Sequence, residues 1–115
     1  MFARPFIGIT HTNRADLLNK AVESCIGKVD IVLVDNSENG YFCAPQKWGN
    51  LGKNRITIIR PLQPMTYTQS MNLFRRYCLE GNLDYFLYLH EDAELLEDSL
   101  ERMYDIVENP VDNYW

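Results

Sequence analysis

The segment Tyr85-Phe86-Leu87-Tyr88-Leu89 runs directly into His90-Glu91-Asp92, so two adjacent carboxylates follow an apolar stretch of strand character. Carboxylates gathered at the end of a buried strand repel each other unless a cation, hydrogen bonds or water offsets their charge. Oxygen donors of this kind suit Mg2+ or Mn2+, which keep part of their water shell and share phosphate oxygens. Asp92 is the candidate metal ligand, with Glu91 beside it. The competing reading is that Glu91 and Asp92 open a helix, where acidic side chains meet the positive end of the dipole. Asp35 closes a second apolar run, Ile31-Val32-Leu33-Val34. An ionised carboxylate only accepts hydrogen bonds, so at this position it can select a base N–H or a ribose hydroxyl. Alternatively it makes an Asx-turn, in a segment that also holds Asn36, Ser37 and Asn39.

A third polar group follows Phe6-Ile7-Gly8-Ile9: Thr10, His11, Thr12, Asn13 and Arg14. Arg14 is placed to meet a diphosphate together with the unpaired N–H groups of the helix that follows, or else it is a solvated surface residue. His11 and His90 each end an apolar run. A lone histidine is usually structural, whereas two at one crevice favour a ligand contact for at least one of them. Asn72 is a poor helix former early in a helical stretch, so it either faces a nucleotide or serves as a first-turn polar residue.

These groups need a scaffold that brings them together. Ala15, Leu18, Ala21, Val22 and Cys25 recur at helical spacing after Thr12 or Asn13 as N-cap. The run 31–34 is apolar throughout, as in strands covered on both faces. Residues 35–54 are rich in Gly and Asn and read as a long loop. Ile56 to Ile59 gives a third strand. Thr68 is a candidate cap for a helix whose apolar face is Met71, Phe74, Tyr77 and Cys78. Tyr85 to Leu89 gives a fourth strand, and Leu96, Leu100, Met103, Tyr104 and Val107 make a last helical stripe. Strands alternating with helices predict an α/β fold, a three-layer Rossmann-like arrangement with a parallel sheet. Right-handed crossovers favour the strand order 3-2-1-4. In such a sheet ligands bind beyond the carboxyl ends of the strands, where the winding reverses. That point lies between the first and fourth strands, which would set Thr10-His11-Thr12 against His90-Glu91-Asp92, with Asp35 next to them.

Composition narrows the function classes. A chain of 115 residues fits a single domain with one core. The formal charge of −5 argues against a nucleic-acid partner, which needs a basic face. Cys25, Cys43 and Cys78 are widely spaced and odd in number, so neither a disulfide framework nor a zinc ribbon is expected. No apolar stretch reaches signal or membrane-spanning length, and a soluble cytoplasmic protein without membrane insertion is expected. A dinucleotide-binding Rossmann domain needs GxGxxG after the first strand, and His11-Thr12-Asn13-Arg14-Ala15-Asp16 holds no glycine. Acidic groups after the first strand, required by a receiver domain or a haloacid-type phosphatase, are absent as well.

Taken in order, the motifs resemble the family 2 type of GT-A glycosyltransferase. FIGITHTNR looks like its opening strand, IVLVDNSENG like the strand whose terminal Asp contacts the base, and Thr66 to Cys78 like the helix with an Asn near the donor. DYFLYLHEDAEL looks like the strand that ends in the family's DxD motif, with histidine at its first acidic position. The resemblance implies a GT-A fold and transfer of a sugar from a nucleotide sugar, a UDP-sugar above all, to the hydroxyl of a carbohydrate or glycoprotein acceptor, assisted by Mn2+ or Mg2+. It assigns Asp92 to the metal, and Thr10, His11, Thr12, Arg14, Asp35, Asn72 and Glu91 to the nucleotide. It also implies that residues 1–115 are the nucleotide-sugar-binding part of the domain, ending before the acceptor-binding half that carries the general base. The alternative is a nucleotide-sugar-binding module of the same fold without efficient turnover.

Overall fold

No polar side chain interrupts Ile31-Val32-Leu33-Val34, so a strand made from it needs apolar cover on both sides. The computed structural model, which describes residues 5–37, 45, 48, 54–96 and 98–108, supplies that cover. The elements run β1 (Ile7–His11), α1 (Ala15–Cys25), β2 (Ile31–Asp35), β3 (Ile56–Ile59), α2 (Tyr67–Glu80), β4 (Leu87–His90) and α3 (Ser99–Glu108). All four strands are parallel, in the order β3-β2-β1-β4. This is the expected order, and it puts β1 in the interior between β2 and β4.

Side-chain alternation along the strands divides the core into two layers. Ile7, Ile9, Ile31 and Leu33 point to one face and pack with Leu18, Val22 and Cys25 of α1 and with Leu100 and Tyr104 of α3. Val32 and Val34 point to the other and pack with Phe74 and Cys78 of α2. Helices therefore cover both faces of the sheet. Gly8 explains how α2 comes so close to β1: a Cβ there would stand 2.8 Å from the Phe74 ring. Phe74 is fully buried against that bare stretch of backbone, and burying a side chain of this size contributes about 1.5–3 kcal/mol.

Three local expectations are corrected. The N-cap of α1 is Arg14, with no side-chain cap bond, not Thr12 or Asn13. The N-cap of α2 is Thr66, not Thr68: its hydroxyl accepts from the Gln69 N–H at 3.1 Å while the Gln69 side chain accepts from the Thr66 N–H at 2.9 Å. Thr66-x-x-Gln69 is a capping box, two orphan donors satisfied reciprocally. The third correction concerns the approach to α3. Glu91 and Asp92 form a turn directly after β4 and the helix begins only at Ser99, so the two carboxylates do not meet a helix dipole. The described residues between them, 93–96 and 98, are not helical, which breaks the predicted stripe: Leu95 is buried whereas Leu96 is exposed, and within α3 only Leu100 and Tyr104 are buried. The loop expected over 35–54 lies mostly outside the described residues; Asp35 belongs to β2, and Trp48 is buried in the α1–α3 layer.

Candidate functional site

The parallel register decides which polar groups meet. Thr10 pairs with His90 across β1–β4, and His11 pairs with Asp35 across β1–β2. The Asn36 N–H extends the ladder by donating to the His11 carbonyl at 2.7 Å. The carboxyl ends of the three strands thus form one edge, as expected for the crevice where the winding reverses.

Glu91 fastens this edge. Its Oε2 lies 2.7 Å from His11 Nδ1 and accepts from the Thr12 N–H at 3.0 Å. An ionised carboxylate only accepts, so Nδ1 carries the proton in this pair. Both side chains are largely enclosed, His11 at 3% and Glu91 at 12% exposure. Glu91 is therefore a tie between β4 and β1 before it is anything else. His90 and Asp92 form a second pair, Nδ1 to Oδ1 at 2.6 Å, which faces solvent.

Asp35 is fully buried. Its Oδ1 accepts from the N–H and the hydroxyl of Ser37, and its Oδ2 lies 3.9 Å from Arg60 Nε. The Asx-turn reading is realised, with Oδ1 committed to Ser37. Arg14 is folded back on Asp16 through two hydrogen bonds, 3.2 and 3.0 Å. That hydrogen bonding raises the guanidinium above its ordinary pKa and holds the Asp16 carboxyl below its usual range. Asn72 is exposed on α2, two positions beyond Ser70 and so about 200° around the helix from it. Arg14 and Asn72 are not part of the wall described next.

Between the ends of β1 and β4 and the start of α2 lies a cleft of about 240 Å³. Thr10, Thr12, Tyr88 and His90 form its strand side, and Asn36, Met65, Tyr67 and Ser70 its α2 side. Thr10 Oγ1 and Tyr88 Oη are hydrogen-bonded at 2.8 Å. Asn36 clamps the backbone of Met65 from both sides: Nδ2 donates to the Met65 carbonyl at 3.2 Å and Oδ1 accepts from its N–H at 2.9 Å. This bidentate clamp fixes the start of α2 to the end of β2. Ser70 is fully buried, and its Oγ has no hydrogen-bond partner among the described residues. A buried hydroxyl left without a partner costs about 1–3 kcal/mol.

Ser70, Tyr67, Tyr88 and Asn36 were not singled out as ligand contacts by sequence reasoning. The capping box would have located the first turn of α2 and hence Ser70. Alternation along β4 puts Tyr88 on the Phe74 face, opposite Leu87 and Leu89. Among the described residues no group of three or more His, Cys, Asp or Glu is arranged to hold a metal ion. Asp92 offers a carboxylate whose exposure leaves it open to solvent, which fits a Mg2+- or Mn2+-type site only when phosphate oxygens and water supply the other positions. No described helix is long and apolar enough to cross a membrane. The chain matches no protein-family model, no curated protein and no solved structure.

Proposed function

We propose that the chain binds a nucleotide sugar, a UDP-sugar above all, at the carboxyl edge of the sheet, and that it serves metal-assisted transfer of the sugar to an acceptor hydroxyl. One observation carries the reading: the interior position of β1 brings Thr10, His11 and Thr12 beside His90, Glu91 and Asp92, with Asp35 adjacent, at the place where α/β sheets bind ligands. The cleft takes the nucleoside end, and the solvent-facing His90–Asp92 pair lies on the diphosphate side. A divalent cation bound there supplies Lewis-acid neutralisation of charge on the departing nucleoside diphosphate. Asp92 would hold such a cation through one oxygen, in place of its bond to His90. Glu91 keeps the two strand ends together and stays bonded to His11 and Thr12. The unpaired thiols of Cys25 and Cys78 suit a reducing, cytoplasmic setting.

The pairing of each strand-end carboxylate favours a second reading. Asp35 is held by Ser37 and Glu91 by His11, and Asp92 is assigned to the cation, so none is poised to take the acceptor's proton. On the described residues alone, the domain binds the donor without turning it over. Donor hydrolysis with and without Mn2+ separates the two. The binding reading itself is tested by titrating UDP at several Mn2+ concentrations, with GDP, dTDP and CMP for comparison. Nucleotide and metal should tighten each other by the same factor, and Asp92→Asn should abolish that coupling. UDP affinity that is indifferent to Mn2+ in the wild type would remove the proposal.

A further inference from the structure

We infer that Ser70 reads the ligand: its hydroxyl at the floor of the cleft hydrogen-bonds the uncharged ring of a nucleoside, and charged groups of the ligand stay at the mouth. The inference rests on the nucleotide reading and assigns it a recognition residue.

The first observation is the orphaned hydroxyl. Ser70 Oγ is buried without a partner among the described residues, on a side chain that lines the cleft. A helical serine ordinarily returns its hydroxyl to a carbonyl one turn back. Ser70 makes no such bond: the Thr66 carbonyl accepts only the Ser70 N–H, at 3.0 Å, and the hydroxyl is left for something outside the helix. The second observation is the wall chemistry. Among the described residues no Asp, Glu, Lys or Arg lines the cleft; its polar groups are hydroxyls, the Asn36 amide and, at the mouth, His90. Asp35 and Glu91 stand just behind these walls, in register with His11 and bonded to it respectively. Their charge opposes an anion on the floor and leaves an uncharged ring unopposed.

Size and surface agree. At about 240 Å³, the cleft is smaller than the roughly 300–1,000 Å³ of sites that enclose a drug-sized ligand. It takes one ring and part of a ribose. Tyr67, 66% exposed and edge-on to Tyr88 at 5.8 Å, contributes aromatic surface beside that ring, the kind of surface on which bases stack. Of the hydrogen-bonded Thr10–Tyr88 pair, one hydroxyl proton is used between them and the other is available to a ligand.

The test uses uridine, which has neither phosphate nor need of metal, titrated calorimetrically into wild type, Ser70→Ala and Tyr88→Phe. The expected result is uridine binding that Ser70→Ala weakens roughly tenfold, as for one lost hydrogen bond left unpaired. The ligand-free Ser70→Ala protein should meanwhile unfold at the same temperature as wild type or higher, because it loses an unsatisfied buried hydroxyl. Tyr88→Phe, which keeps the ring, should weaken uridine by a smaller factor. A Ser70→Ala variant that holds uridine as tightly as wild type overturns the inference, and so does one whose ligand-free unfolding temperature drops, since the hydroxyl would then be structural. Binding of inorganic phosphate or a free monosaccharide in place of uridine also overturns it. Mn2+-dependent UDP binding that is insensitive to Ser70→Ala overturns this inference alone; absence of UDP binding at every Mn2+ concentration removes the nucleotide reading with it.

Discussion

Two histidine–carboxylate pairs stand on one edge of the sheet, His11 with Glu91 and His90 with Asp92. Their contacts are nearly equal, 2.7 and 2.6 Å, but the first pair is 3% and 12% exposed and the second 63% and 58%. The same two residue types therefore do different work. In the enclosed pair the His11 ring has little access to water, so losing its carboxylate costs more than losing an exposed contact. In the exposed pair, solvent competes with the contact at every moment, and either partner can be exchanged for a ligand at little cost. Adjacent positions in sequence, Glu91 and Asp92, thus separate into a fastening and a solvent-facing carboxylate because one is enclosed against His11 and the other is exposed.

The comparison can be broken most directly at the enclosed pair. Glu91→Ala removes the carboxylate from the buried His11 ring and leaves the exposed Thr12 N–H to water, and should cost about 1.5–3 kcal/mol in urea denaturation. A cost below about 1 kcal/mol would mean that the tie between β1 and β4 is dispensable. A mutation on the same strand but away from both pairs calibrates that value. Gly8→Ala presses a methyl group into the Phe74 ring, and overpacking of this kind should cost about 1–3 kcal/mol. An unchanged midpoint would show that α2 moves away freely.

A smaller effect comes from pH. Burial pushes the Cys25 and Cys78 thiols above their ordinary pKa, since it disfavours the thiolate. A raised folded-state pKa contributes stability that is complete below the unfolded value and is lost as pH climbs through the folded one. The unfolding midpoint should therefore fall as pH rises past about 8.5, and replacing both cysteines with alanine should flatten that decline even as overall stability drops. The smallest change belongs to the exposed pair. Asp92→Asn should alter stability by no more than about 0.5 kcal/mol while removing the Mn2+ dependence of UDP binding. If instead it destabilised the fold as much as Glu91→Ala, the contrast between the pairs would collapse.

Sheet order was readable because it follows from pattern and handedness. An uninterrupted apolar run at 31–34, a β-branched run at 56–59 and helical stripes after the first and third strands admit few parallel arrangements, and the structure has the expected one. Where polar side chains go was less readable. Asp35 had two roles open to it from sequence, and the choice depends on whether Ser37 turns back onto it, a matter of a single bond rotation. Arg14 looked available for phosphate, yet Asp16, two positions on, takes its guanidinium. Ser70 was invisible for a different reason: a serine inside a helix carries no pattern of its own, and its burial comes from the fold, which brings Thr10, Asn36 and Tyr88 to the same cleft. Leu96 misled because the apolar spacing continued through a stretch whose backbone is not helical.

The bond between Thr10 and Tyr88 joins positions 78 apart in the chain, and this separation governs when the cleft comes into being. Long-range parallel pairing is slow to form, because the loop-closure entropy is lost before the contacts repay it. During synthesis β1, α1 and β2 emerge and can pair while the far wall of the cleft is still untranslated. Only when β4 docks beside β1 do Tyr88 and His90 meet Thr10 and Thr12. A ligand bound at this edge would therefore bind late in maturation, and would act as a clasp on β4, the last of the described strands to arrive, slowing its release.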